Sequence, residues 1–202
     1  LTHIGRSEKV FIMKRLLLIL ILTLSFQTLT KADDISDFEI EGMSIGDSLL
    51  DYFSEEVIKK NLSPNYYKNH KYTSVEFRKE TRFKNYDNIE FNFLTKDNNY
   101  IIESVAGIIL CSKNFSRCKD LKEDIKSDIS EQFKNLKKNT YSKNHRADKS
   151  GKSLANGIYL DFASGDTVSA ECYFWSDTFK KEKNYKNHIS ISIETKESRD
   201  FI

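Results

Sequence analysis

What the 202-residue chain lacks narrows its chemistry before any motif is considered. It holds three cysteines and four histidines. No C-x-x-C pair occurs, and no H-x-x-x-H or H-E-x-x-H, so the spacing of a zinc site is missing and metal ligation can arise only through the fold. No metal or cofactor is expected. There is no G-x-S-x-G elbow and no S-x-x-K framed by partner motifs, so no residue is assigned as catalytic. No run of apolar residues reaches the ~20 positions that a spanning helix needs.

The apolar run that does exist, Leu16 to Leu24, follows Met13-Lys14-Arg15 and leads into a polar stretch ending at Thr30-Lys31-Ala32. This is the tripartite pattern of a secretory signal. Thr30 and Ala32 supply the small side chains that cleavage after Ala32 requires, and no cysteine near the junction can take a lipid. Residues 1–12 read as sequence upstream of the true start, 13–32 as the signal peptide, and 33–202 as one domain with no transmembrane anchor after cleavage. A periplasmic or secreted address is expected.

Charge removes another class of partner. The full chain has 32 basic and 30 acidic residues. Taking away Arg6, Lys9, Lys14, Arg15, Lys31 and Glu8 leaves 27 against 29, a net of −2. The basic field of a general nucleic-acid binder is absent from the mature chain, so nucleic acid is not an expected partner.

Three cysteines allow at most one intramolecular pair in an oxidising compartment. Cys111 and Cys118 are the expected disulfide, which leaves Cys172 as a buried thiol. Closing so short a loop constrains the unfolded chain by on the order of 2 to 3 kcal/mol in the entropy model.

Along the mature chain, Phe38 to Glu41 alternates like a short strand. Ser44 then reads as the N-cap of a helix over 44–60, with Ile45, Leu49, Tyr52, Phe53 and Val57 as its apolar stripe. Pro64 ends it. Period-two alternation predicts strands over 72–79, 89–95 and 100–111. Leu121, Ile125, Ile129, Phe133 and Leu136 then fall on one face of a helix from about Arg117 to Lys137. Residues 139–153 lack any period and read as a surface loop. Ile158 to Phe162 and Val168 to Phe174 form a hairpin about Ser164-Gly165-Asp166, residues 177–187 read as a second loop, and His188 to Thr195 as the last strand. The prediction is an α+β fold: a single antiparallel sheet of about six strands with two helices packed on one face.

Asp37-Phe38-Glu39-Ile40-Glu41-Gly42-Met43-Ser44-Ile45-Gly46-Asp47-Ser48-Leu49-Leu50 resembles small exported proteins of marine alphaproteobacteria with streamlined, AT-rich genomes. Ser164-Gly165-Asp166, Cys172-Tyr173-Phe174-Trp175-Ser176 and the run Ile191 to Thr195 resemble the same group, so the likeness brackets most of the mature domain. It implies location and architecture and brings no activity, cofactor or catalytic residue. The Gly42-Met43-Ser44 stretch, over a much shorter span, also resembles small outer-membrane assembly and β-lactamase-inhibitor-like folds, whose lipid-modified cysteine has no counterpart here.

Two aromatic groups are candidate ligand-binding residues. Tyr66 and Tyr67 lie among Asn65, Lys68, Asn69 and His70, a mixture that suits a polar ligand or the anchoring of a loop. Tyr173 and Trp175 continue an outward series from Glu171; they are either a stacking platform or the underside of a covering loop. His70, His145 and His188 read as ordinary surface histidines. Six basic residues between Lys137 and Lys152 face one acid, Asp148, a pattern that is weakly attractive to anionic headgroups. The functional expectation is a non-catalytic binding or envelope-associated protein, its partner an envelope protein or a small polar ligand. The alternative is a periplasmic hydrolase whose site is assembled from sequence-distant residues.

Overall fold

Alternation of side chains along strands dictates the architecture. In the computed structural model, which describes residues 35–63, 71–111, 115–132 and 136–201, eight strands form one wholly antiparallel sheet. These are β1 (Leu62–Ser63), β2 (Tyr72–Arg78), β3 (Asn88–Leu94), β4 (Ser104–Leu110), β5 (Lys137–Asn144), β6 (Leu154–Asp161), β7 (Thr167–Phe174) and β8 (His188–Glu194). Four α-helices accompany them: α1 (Glu55–Lys60), α2 (Phe115–Gln132), α3 (Asp177–Lys183) and α4 (Lys196–Arg199).

The strand order β1-β2-β3-β4-β8-β7-β6-β5 is two four-stranded meanders meeting at the β4–β8 pair. The first runs from one edge to the centre; α2 then carries the chain to the opposite edge, and the second returns. Because α2 must span β8, β7 and β6 to deliver β5, it packs over those strands. Its amphipathic stripe, with Cys118, Ile125 and Ile129 buried, is what holds it there.

Register fixes which side chains share the core. Phe77, Ile89 and Gly107 stand in one row with Ile191, Ala170 and Ile158, and Val75, Phe91, Val105, Ile193, Val168 and Leu160 form the next. The N-terminal segment and α1 roof the half that α2 leaves open. Phe53 stacks on Phe77 at 4.0 Å between ring centroids, and Leu49 and Ile58 are fully buried.

Cys111, just past β4, lies at disulfide distance from Cys118 in α2, with 5.9 Å between their Cα atoms. Cys172 is a free buried thiol that donates to the Cys118 carbonyl at 3.1 Å. Burial pushes it up to about 11, so it is protonated and inert.

The sheet is larger than the sequence pattern indicates, and it has eight strands where six were expected, with four helices where two were expected. The first part of the expected loop over 139–153 is not a loop but belongs to the edge strand β5, Lys137–Asn144. At the edge of the sheet this strand is mostly exposed, so its Lys138, Thr140, Ser142 and Asn144 carry no apolar rhythm. Asp177–Lys183 is helical, capped by the Ser176 hydroxyl, which accepts the Phe179 N–H. Phe38 to Glu41 is not a strand; Ile40 and Met43 pair across a turn. The single helix over 44–60 is instead a 3-10 turn, Leu49–Asp51, followed by α1 under a Ser54 cap. The cause is competition for backbone groups: Gly46 N–H and Leu49 N–H are taken by the carbonyls of Ile102 and Tyr100, and Asp47 C=O accepts the Ile102 N–H. Gly46 sits at φ +89, which helical continuation forbids. The signal segment and Tyr66, Tyr67 and His70 lie outside the described residues.

Candidate functional site on the polar face

The positions between the core residues point to the other side of the sheet, and there the sequence is polar. The face presents Glu76, Glu90, Asn92, Ser104, Thr167, Ser169, Glu171, Ser190, Ser192 and Glu194. One end is crossed by α4, where Arg199 Nη1 donates to Asp161 Oδ1 at 2.8 Å and also bonds Thr167. Phe201 beyond it meets Tyr72 edge-on at 4.9 Å. The other end is closed by the β5–β6 loop and the α3–β8 loop.

Between these covers stands Glu171. Its carboxylate accepts hydrogen bonds from three tyrosines: Tyr141 of β5 and Tyr159 of β6, the latter at 2.7 Å, on Oε1, and Tyr173 of β7 at 3.1 Å on Oε2. Burial, then the Glu171 charge, pushes all three phenols above their ordinary range, so each is a donor. The cluster depends on a missing side chain. Gly157 lies between Tyr141 and Glu171 in register, and a Cβ there would meet the Tyr141 ring at 2.8 Å and Glu171 Cγ at 2.9 Å. All four side chains are half-buried. No lysine or arginine forms an ion pair with Glu171, Glu90 or Glu194 among the described residues.

Next to this cluster is an aromatic one. Tyr173 stacks on His188 at 4.8 Å, and Trp175 meets His145 at 4.5 Å, Tyr185 at 4.9 Å and Phe179 at 5.2 Å. Trp175 is only 5% exposed, and Tyr185, at 48%, is the outermost ring. Tyr173 and Trp175 therefore do not form an open platform: Trp175 is covered, and Tyr173 is half-buried between Glu171 and the histidines. Among the described residues the buried Trp175 Nε1–H has no hydrogen-bond partner, a state that costs on the order of 1–3 kcal/mol when nothing fills it.

Both histidines are half-buried here rather than on open surface, and burial pushes both below the ordinary imidazole value, with Arg146 and Lys143 adding at His145. Their tautomers follow from their partners. His188 Nδ1 lies 2.8 Å from the Lys186 carbonyl, which only accepts, so Nδ1 carries the proton and Nε2 is bare. His145 Nδ1 accepts the Ala147 N–H, so its proton is on Nε2. The loop holding His145 is clasped by Asp148, whose carboxylate takes the hydroxyls of Ser153 at 2.6 Å and Ser176 at 2.8 Å. Hydrogen bonds from Ser153 first, and next from Ser150, whose N–H donates to Oδ1 at 3.0 Å, hold Asp148 well below the usual carboxylate range.

Toward β2 the face carries Glu90, which burial pushes up to about 7 against the lowering hydrogen bond from Ser74. A shallow cavity of about 260 Å³ lies beyond it, lined by Lys60, Asn61, Leu62, Ser63, Glu76 and Arg78. Its Arg78 is already bonded to Glu76 at 2.6 Å, which makes it a poorer anion site than its composition suggests.

Of the residues singled out in the sequence, the structure brings together Tyr173, Trp175, Glu171, His145 and His188. Tyr141 and Tyr159 were missed as site residues because their convergence depends on β5 pairing with β6, and β5 left no periodic signal. No helix among the described residues is long and apolar enough to cross a membrane. No family model, curated protein or solved structure matches the chain.

Proposed function

We propose that the chain is an exported, non-catalytic binding domain and that the polar sheet face around Glu171 holds a small ligand. The observation that carries this reading is the Glu171 carboxylate, fixed by three tyrosine hydroxyls on the face opposite the core and without an ion-pair partner among the described residues. Such a group contributes little to folding, since its charge must be partly desolvated without an ion pair to offset it. A ligand that offsets that charge gives the arrangement a purpose. The Trp175 N–H, four residues further along the chain and without a partner among the described residues, is a second group that a ligand or its water can satisfy. The Cys111–Cys118 pair suits an oxidising compartment and so supports export.

A hydrolase remains the rival because His188 is neutral with a bare Nε2, the form a general base needs. The two readings separate in one experiment. A thermal-shift screen of the chain against metals, nucleotides, sugars, osmolytes and peptidoglycan fragments is expected to give a stabilising hit that disappears in Glu171→Gln. A ligand at a hundred times its Kd adds about 2.7 kcal/mol, worth about 2–4 °C per kcal/mol in a domain of this size. A hit that survives Glu171→Gln but is consumed over time, with turnover abolished by His188→Gln, would establish the hydrolase instead.

A further inference from the structure

The hydrogen bonding at Glu171 restricts what its ligand can be. A carboxylate offers about four lone-pair positions. Three are taken by Tyr141, Tyr159 and Tyr173, all held as donors, so a ligand rich in N–H groups finds few lone pairs left to donate to. The negative charge is undiminished, because phenols carry none. Around that charge stand aromatic rings: Tyr141 and Tyr159 stacked at 5.6 Å, Tyr173 on His188, and Trp175 beyond. The neighbouring strand positions are small, with Ser190 beside Glu171 on β8 and Ser192 and Ala106 in the adjacent row, so the floor next to the carboxylate is low. The chain already sets one cation against this cluster from outside, Lys143 Nζ lying 4.7 Å from the Tyr141 ring centroid.

A full charge with few free lone pairs, set among aromatic rings, favours a cation that is large, weakly hydrated and without N–H donors. We infer that the Glu171 site takes a quaternary ammonium group, the head of a choline- or betaine-like molecule, with Tyr159 and Tyr173 as its aromatic walls. This deepens the binding reading of the same face and rests on it. An inorganic cation is a worse fit, since among the described residues no three His, Cys, Asp or Glu converge to hold a metal. A primary amine is a worse fit because it needs acceptors that the tyrosines already occupy.

Titration calorimetry of the full chain with choline, tetramethylammonium, methylammonium and ammonium tests this. Choline and tetramethylammonium are expected to bind at least tenfold more tightly than methylammonium or ammonium. Glu171→Gln should weaken choline at least tenfold. Tyr159→Leu, which removes a ring and leaves the charge, should weaken it severalfold, whereas Tyr159→Phe, which keeps the ring, should bind as well as the native chain. Circular dichroism of each variant shows whether it is folded, and Tyr173→Leu replaces any that is not. Equal affinity across the four cations, or choline binding indifferent to Glu171→Gln and Tyr159→Leu alike, overturns the inference. If choline fails while another compound from the broad screen binds and is lost in Glu171→Gln, the cation inference falls and the binding face stands. If nothing binds, both fall.

Discussion

On one face of the sheet Phe77, Phe91, Ile189 and Ile191 meet α2 and the N-terminal segment; on the other, Glu76, Glu90, Ser190 and Ser192 occupy alternate positions of the same strands. The first face is closed by packing. Among the described residues the second is covered at its ends, by α4 and by the loops around Trp175, and between them its side chains are held by one another through hydroxyl–carboxylate and hydroxyl–hydroxyl bonds. Burial of apolar area stabilises the first at roughly 25 cal/mol per Å². The second gains little for folding, since a hydrogen bond nets only about 1 kcal/mol and desolvated carboxylates offset it. Stability and recognition are thus assigned to opposite sides of the same strands.

The largest effect should come from breaking the packed face. Phe77 is fully buried and touches Phe53, Phe83 and Phe91. Phe77→Ala is expected to cost about 3–5 kcal/mol by denaturant titration, because the flanking rings can only partly fill the space. A cost below about 1 kcal/mol would show that the core of this half is not close-packed.

The polar face should respond to pH instead. Glu90 is raised from 4.5 to about 7, so the folded protein holds its proton more tightly than the unfolded chain. The stabilisation is complete below the unfolded value and is lost as pH rises through 7. Burial is the dominant cause; of the groups around it, the Ser74 hydrogen bond and Arg78 lower the value, and Glu76 and Glu194 raise it. Glu90→Gln should therefore match the native chain at pH 4 and exceed it at pH 8 by about 1–3 kcal/mol. Identical pH profiles would place Glu90 in a more solvated state than the structure shows.

The two faces also differ in how readily the sequence reveals them. β2–β4 and β6–β8 announce themselves by apolar residues at period two, and α2 by Leu121, Ile125 and Ile129, because each must present a stripe to the core. Nothing forces a pattern on β5, whose side chains are mostly exposed, and so the strand carrying Tyr141 is invisible in a single sequence. α3 did leave a signal: Ser176-Asp177 at its start, Lys180, Lys181 and Lys183 in its last turn, and Asn184 at φ +54 beyond. Those cues stand without an apolar stripe beyond Phe179, and the segment reads as a loop in sequence. The Glu171-Tyr173-Trp175 series was legible as outward-facing, but its covers come from two distant loops. No local pattern records that His145 and Tyr185 will meet over Trp175.

That cover supplies the smallest and most selective test. Ser176 caps α3 through the Phe179 N–H and also donates to Asp148, while its own N–H donates to Ser153 Oγ. One hydroxyl therefore ties the helix bearing Phe179 to the loop bearing His145, the two walls around Trp175. Ser176→Ala removes the cap and one Asp148 partner, and should cost about 1 kcal/mol. Its effect should be concentrated at the end of the polar face: Trp175 fluorescence should shift to the red and quench more readily as water reaches the ring, while the exchange of β2 and β3 amides stays unchanged. If those amides exchange faster in step with the fluorescence, the clasp belongs to the cooperative core. The division between a packed face and a separately held polar one would then have to be abandoned.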